Sequence, residues 1–157
     1  MKKEIISFEY EVFETRNELP EADLNLVSKA NEISKTAYAP YSNFHVGAAV
    51  ELEDGQIFVG NNQENASYPV GTCAERGLLA YVNANFPNIK IKKLAVSTIN
   101  INHPLPPCGM CRQYILEMEK KQNANIALFL AGNEGQVFKV DTAKDLLPLF
   151  FTEDFLD

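Results

Sequence analysis

Residues 72–118 read TCAERGLLAYVNANFPNIKIKKLAVSTININHPLPPCGMCRQYILEM, and two helices with a strand between them separate in this stretch by their apolar periods. Leu78, Leu79 and Val82 follow Thr72 at helical spacing, so a helix begins near Thr72 and carries Cys73 and Glu75 in its first turn. Ile89 to Ile99 reads as a buried strand. Pro104, Pro106 and Pro107 then break the chain before a second helix, which carries Tyr114, Ile115 and Met118 and starts around Cys108 and Cys111.

Upstream, Ile6, Phe8, Tyr10 and Val12 alternate with Ser7, Glu9 and Glu11, the period of a half-buried edge strand. Pro20, Glu21 and Asp23 suit the first turn of a helix whose apolar face is Leu26, Val27, Ala30, Ile33 and Ala37, ending before Pro40. Strands over 45–52 and 56–60 flank Asp54-Gly55, a two-residue hairpin signal. Downstream, strands over 126–130 and 137–140 flank an Asn133-Glu134-Gly135 turn, and a last helix follows Asp141 as its cap. The order βαββαβαββα predicts an α/β fold with helices packed on a mixed sheet. No repeat or flexible linker divides the 157 residues, so 1–157 is expected to form one domain.

The formal net charge of −7 repels phosphate chains, which disfavours a nucleic-acid partner. No run of about 18 apolar residues occurs, so no membrane-spanning helix is expected. Glu4, Glu9 and Glu11 interrupt any leader-like apolar run after Met1-Lys2-Lys3, so a cytoplasmic location with reduced thiols is expected.

Three cysteines cannot all pair within the chain. Cys108-x-x-Cys111 has the spacing of two zinc thiolates at the entry to a helix, and Cys73 supplies a third at the start of another. Three protein ligands with one open position describe a catalytic zinc. Both helix starts direct the positive ends of their dipoles at the thiols, and Arg76 and Arg112 can offset the thiolate charge further. Other readings compete. A lone Cys73 reads more readily as a small buried hydrophobe than as a ligand, and Cys108-x-x-Cys111 can also be read as a redox pair. Thr72-x-x-Glu75 fits a capping box, in which the glutamate only closes the helix start. The alternative for Glu75 is a carboxylate beside the open coordination position, taking a proton from bound water. His45 and His103 read as ordinary polar residues.

Cys73-Ala74-Glu75 followed by Pro107-Cys108-Gly109-Met110-Cys111 matches the signature of zinc deaminases in its three-cysteine form. Together with Tyr41-Ser42-Asn43-Phe44-His45-Val46-Gly47-Ala48-Ala49 and Asn62-Gln63-Glu64-Asn65-Ala66-Ser67-Tyr68, it resembles the small cytidine deaminases from about Ala37 to Gln113. The resemblance implies a three-layer cytidine deaminase-like fold with one zinc per chain on Cys73, Cys108 and Cys111. It implies a Glu75 proton shuttle, Arg76 balancing charge, and a nucleoside held by Phe44, Asn62, Glu64 and Ala74. It further implies a homotetramer in which Tyr68 and Phe151 contact a neighbouring subunit, and a role in pyrimidine salvage: hydrolytic deamination of cytidine and deoxycytidine to uridine and deoxyuridine. Gln63 stands where many relatives carry an aliphatic residue, which bears on sugar or base preference. The rival functions are deamination of another base or nucleoside antibiotic, and thiol oxidoreduction through Cys108 and Cys111.

Overall fold

A computed structural model of the chain describes residues 1–156. It contains β1 (Glu11–Phe13), α1 (Glu21–Ser34), β2 (Val46–Leu52), β3 (Ile57–Asn61), α2 (Ala74–Asn85), β4 (Ile91–Thr98), α3 (Gly109–Gln122), β5 (Ala127–Ala131) and β6 (Val137–Val140), with short 3₁₀ turns between some of them. The six strands form one sheet in the order β1-β6-β5-β4-β2-β3. Only β4 and β5 are parallel, and α3 makes the crossover between them. This is the mixed α/β sheet expected from the sequence.

The two faces of the sheet bury separate cores. Leu26, Val27 and Ala30 of α1 pack with Ala49, Ala95 and Phe129 on one face. Leu78, Leu79 and Val82 of α2 and Ile115, Leu116 and Met118 of α3 pack with Ala48, Val50, Val96 and Leu128 on the other. Three layers result. Gly47 sets how closely α1 approaches β2, since a Cβ there would lie 2.0 Å from the Ala30 carbonyl oxygen. Among the described residues no helix is long and apolar enough to cross a membrane.

Three local expectations are corrected. Pairing of the first strand covers only Glu11, Val12 and Phe13, because β6 is four residues long and offers nothing to the residues before them. Ile6 and Phe8 are consequently exposed. The β2–β3 hairpin closes with three residues: Gly55 N–H donates to Leu52 O at 3.0 Å and Leu52 N–H to Gln56 O at 2.9 Å, with Gly55 in the left-handed region at φ +85°. That is a three-residue loop ending on a left-handed glycine instead of a two-residue loop. The expected last helix is absent among the described residues, where 3₁₀ turns at Ala143–Leu146 and Glu153–Phe155 stand in its place. Pro148 lacks the amide that a helix would need, Leu149 sits at φ +56°, and Thr142, not Asp141, caps the first of these turns.

Candidate functional site

The starts of α2 and α3 meet on the sheet face that carries both helices. Cys73 is the N-cap of α2, Cys108 is the N-cap of α3, and Cys111 lies in the first turn of α3. Neither capping side chain closes its own helix, so the free first-turn amides and the dipole of each helix remain directed at sulfur. The three Sγ atoms lie within 4.8 Å of one another, with Cys73 to Cys108 at 3.9 Å and Cys108 to Cys111 at 3.5 Å. A tetrahedral zinc with sulfurs about 2.3 Å away would hold neighbouring sulfurs roughly 3.8 Å apart, so the donor set fits the ion. A two-thiol redox centre would leave Cys73 outside the cluster.

Charge at the cluster is distributed unevenly. The neighbouring Cys111 thiol, with Arg76 and Cys108, holds the Cys73 pKa at about 5 against its partial burial. Cys111 is pushed upward by the adjacent Cys73 sulfur and by burial. The surroundings of Cys73 thus favour the thiolate form that binds metal. Arg76 Nη2 lies 3.9 Å from Cys73 Sγ and 3.5 Å from the Gly71 carbonyl, where it balances the thiolate. Arg112 does not share this task. Its guanidinium donates to the carbonyls of Pro107 at 2.8 Å and Leu146 at 2.9 Å, tying the loop before α3 to the C-terminal segment.

Glu75 is 4% exposed at the second position of α2, and burial pushes its carboxyl above the usual range. The capping box is not formed, because the N-cap is Cys73 and no side-chain bond closes the helix. Thr72 is used otherwise: its N–H and C=O pair with Gln63 at 2.9 and 3.0 Å, docking the loop before α2 against the end of β3. Ala74 is fully buried beside Glu75.

A cavity of about 470 Å³ opens beside the cluster, lined by Tyr41, Asn62, Glu64, Tyr68, Cys73 and Arg76 among others. That volume suits a small molecule. Asn62 and Glu64 reach it as expected, yet each also supports the chain opposite. Asn62 Oδ1 accepts from Val46 N–H at 2.8 Å and its Nδ2 donates to Phe44 O at 2.9 Å. Glu64 accepts from the Tyr41 and Ser42 amides at 2.8 and 3.3 Å and from Ser42 Oγ at 2.5 Å. These bonds hold its carboxyl below the ordinary glutamate range. Gln63 donates to Asn61 Oδ1 at 2.6 Å, and Asn61 in turn donates to Ile33 O and Thr36 Oγ1, so the Gln63 amide is engaged toward the end of α1.

Phe44, Ala74, Glu75 and Phe151 do not line the cavity. Phe44 is half-buried. Phe151 is 55% exposed and stacks on Phe155, and its carbonyl accepts from Gln113 of α3 at 3.0 Å. Tyr68 is exposed at the cavity mouth, 5.9 Å from the Tyr41 ring. Sequence reasoning gave no role to Ser42 within its motif and missed Thr98 and Asn100, whose side chains with that of Ser42 fasten the segment carrying Phe44. Their only signal was polar side chains around the end of an apolar strand.

Residues 20–125 match the family model described as the cytidine and deoxycytidylate deaminase zinc-binding region. A cytidine deaminase of Halalkalibacterium halodurans is 38% identical over 135 residues, which span 84% of this chain and 96% of that protein. A cytidine deaminase of Sporosarcina psychrophila is 35% identical over 129 residues, spanning 82% and 91%. The crystal structure of cytidine deaminase from Burkholderia pseudomallei superposes with a TM-score of 0.71 at 38% identity, covering 81% of this chain and 97% of that one.

Proposed function

This chain belongs to the cytidine and deoxycytidylate deaminase family, and from that membership we propose that it hydrolyses free cytidine and deoxycytidine to uridine and deoxyuridine, releasing ammonia. The observation that carries the reading is the meeting of three thiols at two helix starts, with the buried Glu75 carboxyl two residues after the first. Cys73, Cys108 and Cys111 hold one zinc per chain. Zinc bound there supplies a Lewis acid that brings the pKa of water down to roughly 7.

The protein side of the reaction is proton traffic and grip. Glu75 takes the proton of the attacking water and passes it to the ring nitrogen next to the amine-bearing carbon. It then takes the remaining proton from the hydroxyl added to the ring carbon and delivers it to the amine, which leaves as ammonia while that oxygen becomes the carbonyl of the product. Burial favours the protonated carboxyl between these transfers. Arg76 offsets the charge that three thiolates bring, which preserves the electrophilic character of the centre. Glu64 and Asn62 grip the ribose hydroxyls with the hydrogen-bonding capacity left over from their backbone bonds. Phe44 packs against the pyrimidine, and Ala74 beside Glu75 completes the base site.

The reading places the enzyme in the cytoplasm, salvaging pyrimidine nucleosides, as a homotetramer whose neighbours meet Tyr68 and Phe151. The net charge of −7 supports a free nucleoside over a polynucleotide. The deciding measurement follows the ultraviolet change from cytidine to uridine together with ammonia release, using protein of measured zinc content. One zinc per chain and turnover of both nucleosides are expected, with zinc lost in Cys108→Ala. A zinc-loaded protein that releases no ammonia from either nucleoside overturns the proposal.

A further inference from the structure

We propose that Asn100, outside the cavity, is a positioning residue for nucleoside binding, acting by fixing the backbone of Asn43–His45 that presents Phe44. The inference rests on the function proposed above. Asn100 Oδ1 accepts from His45 N–H at 2.7 Å, and Asn100 Nδ2 donates to Asn43 O at 2.9 Å. Thr98 Oγ1 donates to His45 O at 2.6 Å and accepts from Asn100 N–H at 3.1 Å, which sets the Asn100 side chain at the end of β4. From the other side Ser42 Oγ accepts from Phe44 N–H at 3.0 Å, and Asn62 binds Phe44 O. Asn43 N–H donates to Ala39 O at 3.0 Å.

Every backbone polar group from Asn43 to His45 thus has a partner, and five of the six partners are side chains. A segment in no helix or strand has no ladder to fix it, so these side chains determine where Phe44 stands. Asn43 adopts φ +55°, a left-handed conformation, and two bonds from Asn100 bracket that residue and the next but one. The far half of the bracket is Asn62, which lines the cavity, so both the base and the sugar contacts depend on this segment keeping one conformation.

The effect falls on binding and not on chemistry. Asn100 is exposed and contributes nothing to either core, and the amide and carbonyl it binds would turn to water if it were truncated. The fold survives such a loss, but the released segment must be ordered again by each arriving nucleoside. Cys73, Glu75, Cys108 and Cys111 stand on α2 and α3 and keep their places.

The test compares wild type, Asn100→Ala and Asn100→Asp for cytidine turnover, zinc content and amide hydrogen exchange at residues 43–46. In Asn100→Ala we expect KM to rise about tenfold or more, kcat to stay within about threefold, zinc to be retained, and exchange at His45 to accelerate. Asn100→Asp keeps the acceptor for His45 N–H but loses the donor to Asn43 O, and should fall between the two. An unchanged KM in folded Asn100→Ala, or in Asn100→Asp if the alanine variant does not fold, overturns the inference, as does a fall in kcat with KM unmoved. Failure of wild type itself to turn over cytidine would instead count against the proposed function, while the exchange comparison would still report whether Asn100 holds the segment.

Discussion

Glu75 lies where a cap and a proton carrier are hard to tell apart in sequence, and its burial weighs against the cap. A capping glutamate works at a solvent-exposed helix end, whereas this one is 4% exposed and Thr72 is committed to Gln63 through its backbone. Glu75→Gln keeps the shape and loses the titratable proton. We expect zinc to be retained and kcat to fall by roughly 10²- to 10⁴-fold for each transfer removed, measured by steady-state ultraviolet assay. Turnover close to wild type would return Glu75 to a structural role. Glu64 gives a second test at this scale. Its carboxyl is lowered chiefly by the Ser42 hydroxyl and then the Tyr41 amide, so the folded protein binds its proton less readily than the unfolded chain does. The sign follows from linkage: its anchoring of residues 41–42 is fully present above the ordinary glutamate pKa and is lost as pH falls through the lower, folded value. Carbon NMR of the Glu64 carboxyl should therefore give a midpoint below the ordinary glutamate value, and Ser42→Ala should move it upward. A midpoint at or above the ordinary value would mean that the Ser42 bond is not formed in solution.

Among the elements, α3 is held from both ends, by the cysteines at its start and by Glu119 near its close. Glu119 Oε1 accepts from the Ile126 amide at 2.9 Å and the Ala143 amide at 3.1 Å, and Oε2 accepts from Thr142 Oγ1 at 2.8 Å. One buried carboxyl thus links α3, the approach to β5 and the 3₁₀ turn after β6. Glu119→Ala leaves two buried amides without acceptors, at about 1–3 kcal/mol each. Calorimetry should show the melting temperature falling by roughly 6–18 °C, at about 3 °C per kcal/mol for a chain of this length, with a smaller loss in Glu119→Gln, which keeps one acceptor. A shift under about 2 °C in the alanine variant would show that water replaces the carboxyl. Nothing in the sequence marks Glu119, which reads as an exposed helix charge, because its partners come from segments 7, 23 and 24 residues away. The strands and helices of the sheet were legible, since each has an apolar period imposed by one buried face or two. The metal cluster was legible because thiols at helix starts are few and their spacing is local. The first strand and the last helix were misjudged for a shared reason: apolar pattern reports what a segment offers for burial, and only the partner decides what is accepted. Ile6 and Phe8 have the alternation without a neighbouring strand, while Pro148 and Leu149 interrupt an apolar tail that has surface to cover but no helical backbone.

At the scale of the whole molecule, the cavity mouth and the C-terminal tail leave more apolar surface uncovered than a chain of net charge −7 has reason to show. Tyr68, Val70 and Met110 are 75%, 65% and 64% exposed around the site, and Leu149, Phe151 and Phe155 are 90%, 55% and 69% exposed along the tail. The two regions are joined through α3, which begins at Cys108 and whose Gln113 holds the Phe151 carbonyl. Exposed apolar surface gathered at a site's entrance is better explained by a neighbouring copy than by solvent. The proposed homotetramer would meet such a need through closed symmetry with more than one kind of interface. Sedimentation at micromolar concentration is expected to report about four chains per particle. On the proposed assembly, Phe151→Ala should raise KM for cytidine severalfold while zinc content stays at one per chain, because the residue lies outside the thiol cluster and would contribute from across an interface. The same substitution in an isolated chain would have little to remove, since within its own chain the ring meets Phe155, at 5.8 Å, in an exposed stack. A fully active monomer, or a Phe151→Ala tetramer with unchanged KM, would assign the tail to solvent and leave each cavity complete within one chain.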